Sequence, residues 1–230
     1  MRKAMIVYGG WAGHDPDLCA SIMRGWLKEE GFDVRMETTT AAFADPAIHD
    51  LSLIVPIFTM SKIEKEEAAN LCAAVRGGVG LAGHHGGMGD AFRDAVEYQF
   101  MCGGQWVAHP GNIIDYRVNV TRPHDPIMQG IRDFDYRSEQ YYMHVDPSNE
   151  VLATTTFSGE HAYWTKDVVM PVVWKRRHGE GACLLQFPRA CGERVRRPGD
   201  AHHPQAWHAL GCALNIRPMG GMTIRASAEH

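Results

Sequence analysis

The run Gly80-Leu81-Ala82-Gly83-His84-His85-Gly86-Gly87-Met88-Gly89 constrains this chain more than any other stretch. It follows the apolar segment Val79 to Ala82 and precedes a segment that reads as a helix from Asp90. A strand, a glycine-rich turn and a helix in that order lift one side chain above the carboxyl edge of a parallel sheet. In acyl-transfer enzymes the lifted residue is a nucleophile such as serine or cysteine. Neither occurs between Gly80 and Gly89, where two histidines stand instead. Imidazole suits proton transfer or metal ligation better than attack on an amide.

The chain upstream supports such a sheet. Ala4 to Tyr8 reads as a buried first strand closed by Gly9-Gly10. Asp15 stands as an N-cap and Pro16 opens a helix whose apolar stripe is Leu18, Ile22, Trp26 and Leu27, with Gly31 as its stop. Asp33 to Glu37 and Leu51 to Phe58 read as the second and third strands. Ser61-Lys62-Ile63-Glu64 matches a capping box ahead of Ala68, Leu71, Cys72 and Val75, and Gly77 ends that helix. With Val79 to Ala82 as the fourth strand, the order βαββαβ predicts an α/β fold, three layers α/β/α around a mainly parallel sheet. Loops 9–15, 58–61 and 83–89 then converge on one crevice at the carboxyl ends of the strands.

Residues 103–147 change character, being rich in His, Pro, Tyr and Asp, and read as short strands with long functional loops. Strand patterning returns at Val151 to Thr155, Val172 to Lys175 and Ala182 to Phe187. A last helix is expected from Pro204, packing Trp207, Leu210 and Leu214. Residues 1–217 are read as a single domain and 218–230 as a tail.

Composition narrows the function classes. With 45% hydrophobic and 22% charged residues over 230 positions, the chain has material for one sizeable globular core. A formal charge of −4 gives no reason to expect nucleic acid or an anionic membrane surface as partner. The absence of a bilayer-length apolar run, and cysteines 19, 72, 102, 183, 191 and 212 without CxxC spacing, predict a cytoplasmic protein with reduced thiols. Homo-oligomerisation is expected on general frequency.

Each candidate site residue has a functional and a structural reading. His85 is a general base or metal ligand exposed by the glycines, or a ring tucked under the turn on a backbone carbonyl. His84 beside it must point elsewhere and reads as structural. His14, in the loop after the first strand, binds substrate or metal, or braces that loop. His109 before Pro110 is a substrate contact or a turn histidine, and His144 alternates with apolar residues as an ordinary strand does. Glu139, flanked by Tyr141 and Tyr142, is an acid or base beside rings that stack on sugar C–H faces, or a surface partner of Arg137 or Arg132. Trp11, Trp106 and Trp164 line the same cavity or serve the core. His14, His85, His109 and Glu139 offer nitrogen and oxygen donors to a divalent metal such as zinc, although no HxH or HExxH spacing unites them.

Taken in order, several pieces resemble the ThuA-like (trehalose utilisation) family, whose fold is that of class I glutamine amidotransferases, a flavodoxin-like arrangement. They are the opening strand and glycine loop with His14, the elbow Gly80 to His85, and Gly103-Gly104-Gln105-Trp106-Val107-Ala108-His109-Pro110. His124-Asp125-Pro126-Ile127 with Gly130 and Phe134 follows, then Ser138-Glu139-Gln140-Tyr141 and Val151-Leu152-Ala153. Pro171-Val172-Val173-Trp174 with Gly179-Glu180-Gly181 completes a series covering roughly Lys3 to Asn215. Two departures mark a divergent member. Ser138 stands where the family tends to have Asp, and Gln186-Phe187-Pro188-Arg189 replaces a Gly-His pair whose role is lost or moved to His202 or His203.

The resemblance implies a carbohydrate-metabolism enzyme acting on a glycoside or keto-sugar. His85 and Glu139 would be catalytic, with His14, His109, Tyr141 and Trp106 binding substrate, and a metal, if used, on His14 and His85. Glutamine hydrolysis is not expected, because Cys72 and Cys102 lie away from the elbow and His203-Pro204-Gln205 lacks the glutamate of a Cys-His-Glu triad. The alternative is a non-catalytic sugar-binding or regulatory protein on the same scaffold.

Overall fold

Uninterrupted apolar runs build the centre of the sheet. The segment Leu53–Thr59 (β3) is buried at every position, and Ala4, Met5, Ile6 and Val7 are buried within Arg2–Gly10 (β1). Strands covered on both faces read as continuous rather than alternating hydrophobics. The computed structural model describes residues 1–186. The helix expected from Pro204, the tail at 218–230, residues 187–189 of the departing segment and His202 and His203 lie outside the described residues.

After β1 come Pro16–Glu29 (α1), Phe32–Glu37 (β2), β3, Lys65–Arg76 (α2) and Gly80–His84 (β4). Then follow His85–Gly89 (α3), Val96–Cys102 (α4), Gly104–Ala108 (β5), Ile113–Val120 (β6) and Phe134–Glu139 (β7). Tyr142–Val145 (β8), Glu150–Thr156 (β9), Val169–His178 (β10) and Gly181–Gln186 (β11) complete the described chain. The large sheet has the order β2-β1-β3-β4-β11-β10-β9-β6-β7, while β5 and β8 form a separate pair.

The expectation of a mainly parallel sheet is corrected: the sheet is mixed. Pairs from β2 across to β11 are parallel, and pairs from β11 across to β7 are antiparallel. Only Gly179 and Glu180 separate β10 from β11, and a two-residue connection can join strands only in antiparallel sense.

Local expectations shift by a turn at several points. The buried face of α1 is Pro16, Cys19, Ala20, Met23 and Leu27, a stripe at helical spacing that leaves Leu18 off it and 48% exposed. Glu64, not Ser61, is the N-cap of α2, and the Glu67 carboxylate accepts from the Glu64 backbone N–H at 3.0 Å. The helix expected from Asp90 is replaced by α3, which starts at His85 itself, and by the later α4. Cys72, Cys102 and Cys183 are buried free thiols, whereas Cys19 is disulfide-bonded, which corrects the expectation of thiols throughout. Among the described residues no helix is long and apolar enough to cross a membrane.

Candidate functional site

The chain leaves β1 for β2 in one direction and later leaves β3 for β4 in the other, so the strand order reverses between β1 and β3. A crevice opens at the carboxyl ends of strands at such a switch point. His14 ends a short 3-10 turn after β1, and its Nδ1 lies 2.9 Å from Oγ1 of Thr59, the last residue of β3. The elbow backbone presses against this pair. A Cβ on Gly86 would come within 2.7 Å of His14 Cε1 and 2.8 Å of Thr59 Cγ2, so no side chain fits there.

His85 turns the chain from β4 into α3 with φ of +48°, a left-handed conformation that non-glycine residues seldom adopt. Such backbone strain costs about 1–3 kcal/mol and persists where the surroundings fix it. Those surroundings are visible: the ring stacks on Tyr141 with centroids 4.3 Å apart, and Nε2 lies 2.7 Å from Glu139 Oε2. The His14 ring is 4.9 Å away.

Glu139 arrives from the other side of the sheet. Strand β6 joins β9 only through Asn119 opposite Thr154 and Val120 opposite Ala153, yet pairs with β7 from Val118–Phe134 out to Ile113–Glu139. The hairpin is thus held to the sheet at one end and carries Glu139 at the other. Buried Gln140 anchors the carrier, donating to Thr155 Oγ1 at 2.8 Å and to the Thr156 carbonyl at 3.3 Å. Arg137 pairs with Asp115, not with Glu139.

Three histidines surround the carboxylate. Besides the His85 bond, Oε2 is 3.5 Å from His14 Nε2, and Oε1 is 3.8 Å from His109 Nε2. Burial alone would push the Glu139 carboxyl up, but the His14 and His85 contacts and the charges of His85 and His109 hold it well below the usual carboxylate range. The His14 contact is electrostatic rather than a formed hydrogen bond, since its Nε2 is buried without a hydrogen-bond partner. An ionised carboxylate only accepts, so His85 Nε2 is assigned the proton between them.

Aromatic rings wall the crevice. Tyr141 is buried and lies parallel to His109 at 6.0 Å, and the Trp106 ring is 5.7 Å from His109. Arg93, clamped by both oxygens of Asp90 at 2.6 and 2.9 Å, sits 4.4 Å over Trp106. Trp11 is half exposed, its ring edge-on to His14 at 4.7 Å. Trp164 is 72% exposed, and its ring partner is Tyr163. His84 is buried, and His144 is exposed on β8.

His14, His85, Glu139, His109, Tyr141 and Trp106 therefore meet in one place. Sequence reasoning missed Thr59, Gln140 and the Asp90–Arg93 clamp. Thr59 stands one residue past the expected end of its strand, the only hint it gave. Buried polar atoms are normally bonded, yet His14 Nε2, His109 Nδ1 and Trp106 Nε1 are buried without a hydrogen-bond partner. Donor atoms of His14, His85 and Glu139 all lie within 4.8 Å of one another, the one such metal-capable group among the described residues. Thiol chemistry has no support there: burial pushes Cys72 up to about 11 and Cys183 up to about 12.

The family model ThuA, described as trehalose utilisation, matches residues 3–187. A ThuA-like protein of Parabacteroides merdae superposes with a TM-score of 0.65 at 16% identity, over 80% of this chain and 78% of that one. One from Bacteroides uniformis gives 0.63 at 17%, over 80% of each chain. A GH42 β-galactosidase of G. stearothermophilus gives 0.53 at 13%, over 81% of this chain but 27% of its own, a likeness of fold alone. No curated protein matches the chain by sequence.

Proposed function

The chain belongs to the ThuA, or trehalose utilisation, family, and from that premise we propose that it is a carbohydrate-metabolism enzyme acting on a glycoside or a keto-sugar derived from one. The observation that carries this reading is the 2.7 Å contact between His85 Nε2 and the ionised Glu139, with His14 and His109 at the same carboxylate. A His–carboxylate pair moves protons without a covalent nucleophile, which matches an elbow that holds no serine or cysteine. In a keto-glycoside the carbonyl acidifies the neighbouring C–H. The pair removes that proton, the electron pair passes into the enolate, and isomerisation or loss of the β-oxygen substituent follows, with the proton returned to product. Trp106 and the half-exposed Trp11 offer ring faces to sugar C–H groups.

The test is turnover of glycosides and their 3-keto derivatives by wild type beside His85→Ala and Glu139→Gln. We expect either substitution to lower kcat about 10²–10⁴-fold, the usual worth of a general acid–base group. If wild type binds such sugars with no turnover, and the variants shift only Kd, the protein is a sugar-binding module and the catalytic reading fails.

A further inference from the structure

We propose that His14, His85 and Glu139 are the protein ligands of a divalent transition-metal ion such as zinc. The inference keeps this crevice as the working site and rests on that reading, but it gives His85 and Glu139 to the ion and leaves proton transfer to His109; its readout is metal content rather than sugar chemistry.

The donors come from three separately held segments: the turn after β1, the elbow, and the end of β7. Their chemistry, two imidazoles and a carboxylate, is that of catalytic zinc sites, which use three protein ligands and leave a further position open. Bonds of about 2.0–2.2 Å place tetrahedral ligands roughly 3.3 Å apart. The 3.5 Å between His14 Nε2 and Glu139 Oε2 already has that spacing, and at the 2.7 Å His85 contact the ion would take the place of the Nε2 proton and open the pair modestly.

His14 supplies the independent sign of a ligand. It is 7% exposed, and its Nε2 faces the carboxylate without a hydrogen-bond partner. Its other nitrogen is held by Thr59 at 2.9 Å. With Nδ1 engaged by the hydroxyl, Nε2 is the ring atom turned toward the carboxylate, 3.5 Å from Oε2 and without a hydrogen-bond partner of its own. A cation between them would satisfy both atoms. The Thr59 contact is also the kind of outer hydrogen bond that fixes the tautomer and ring orientation of a metal-binding histidine. An ion held here supplies a Lewis acid to a sugar carbonyl or hydroxyl. His109, at 3.8 Å from the far carboxylate oxygen, remains to carry protons.

The experiment is to strip tag-free full-length protein with chelator, then titrate Zn(II) by calorimetry and confirm the content by elemental analysis. Wild type runs beside His14→Ala, Glu139→Gln, Thr59→Val and the exposed control His144→Ala. The expected result is one zinc per chain in wild type and control, and loss of binding in the first two variants. Thr59→Val, which keeps every ligand, should weaken affinity about 10–100-fold and keeps the test decisive if a ligand variant fails to fold. No zinc on wild type, or zinc unchanged in Glu139→Gln and Thr59→Val, overturns the assignment. Failure of that kind with sugar turnover intact leaves the His85–Glu139 proton-transfer reading standing, whereas zinc binding without turnover has the reverse meaning.

Discussion

The two halves of the sheet contribute to one crevice by different means. In the parallel half, β1, β3 and β4 end side by side, so His14, Thr59 and His85 meet because neighbouring strands stop at the same edge. In the antiparallel half, Glu139 lies on β7, the outermost strand, and reaches the histidines only because its hairpin departs from β9 after two residue pairs. The bases are thus built into the topology, while the acid is carried on a hairpin that joins the sheet through two residue pairs. Each half can be perturbed separately.

The largest effect is expected from Gly86→Ala in the parallel half. The added methyl would overlap His14 and Thr59, and overpacking of this kind costs about 1–3 kcal/mol. Sugar turnover should collapse although no proposed catalytic residue is changed. Unaltered denaturation midpoint and activity would show that the elbow tolerates the contact and that His14 is not held from this side.

Next comes Gln140→Ala in the antiparallel half, which leaves the buried Thr155 hydroxyl without its 2.8 Å partner. A group left unsatisfied in this way costs about 1–3 kcal/mol. If the hairpin delivers Glu139, kcat should fall further than this stability loss explains at temperatures where the variant stays folded. A variant that loses stability but keeps full activity would mean that the hairpin is positioned by other contacts.

The smallest effect is a pH dependence. The Glu139 carboxyl is held below its ordinary value of 4.5, so its stabilisation is complete above that pH and fades as the pH falls toward the folded-state value. The stability difference between wild type and Glu139→Gln, from urea titrations, should therefore shrink between about pH 5 and pH 2. A constant difference over that window would remove the electrostatic account of the cluster.

Much of the parallel half was legible in the sequence. β3 announced itself as an apolar run, the elbow as glycines around histidines, and the convergence of loops 9–15, 58–61 and 83–89 followed from strand-order rules. The helix faces were less legible. In α1 the buried side is made of Cys19, Ala20 and Met23, while Leu18 faces outward. The expectation of a mainly parallel sheet rests on the first four strands and does not extend to β10 and β11, which the two-residue Gly179–Glu180 turn makes antiparallel. The partners of Thr59 and Gln140 were not legible, because a polar residue at a strand end looks the same whether or not it has a buried partner.

The α/β class, the family and the residue types at the elbow are all written locally, in periodicity, turn chemistry and the order of motifs. It takes the folded chain to bring the Glu139 oxygens among His14, His85 and His109, to hold His85 at positive φ, and to leave His14 Nε2, His109 Nδ1 and Trp106 Nε1 without hydrogen-bond partners. The reason is physical. Periodicity reports which face of an element is buried, but contacts between residues 30 or more positions apart depend on where a hairpin leaves the sheet and what it is anchored to. No local pattern encodes that.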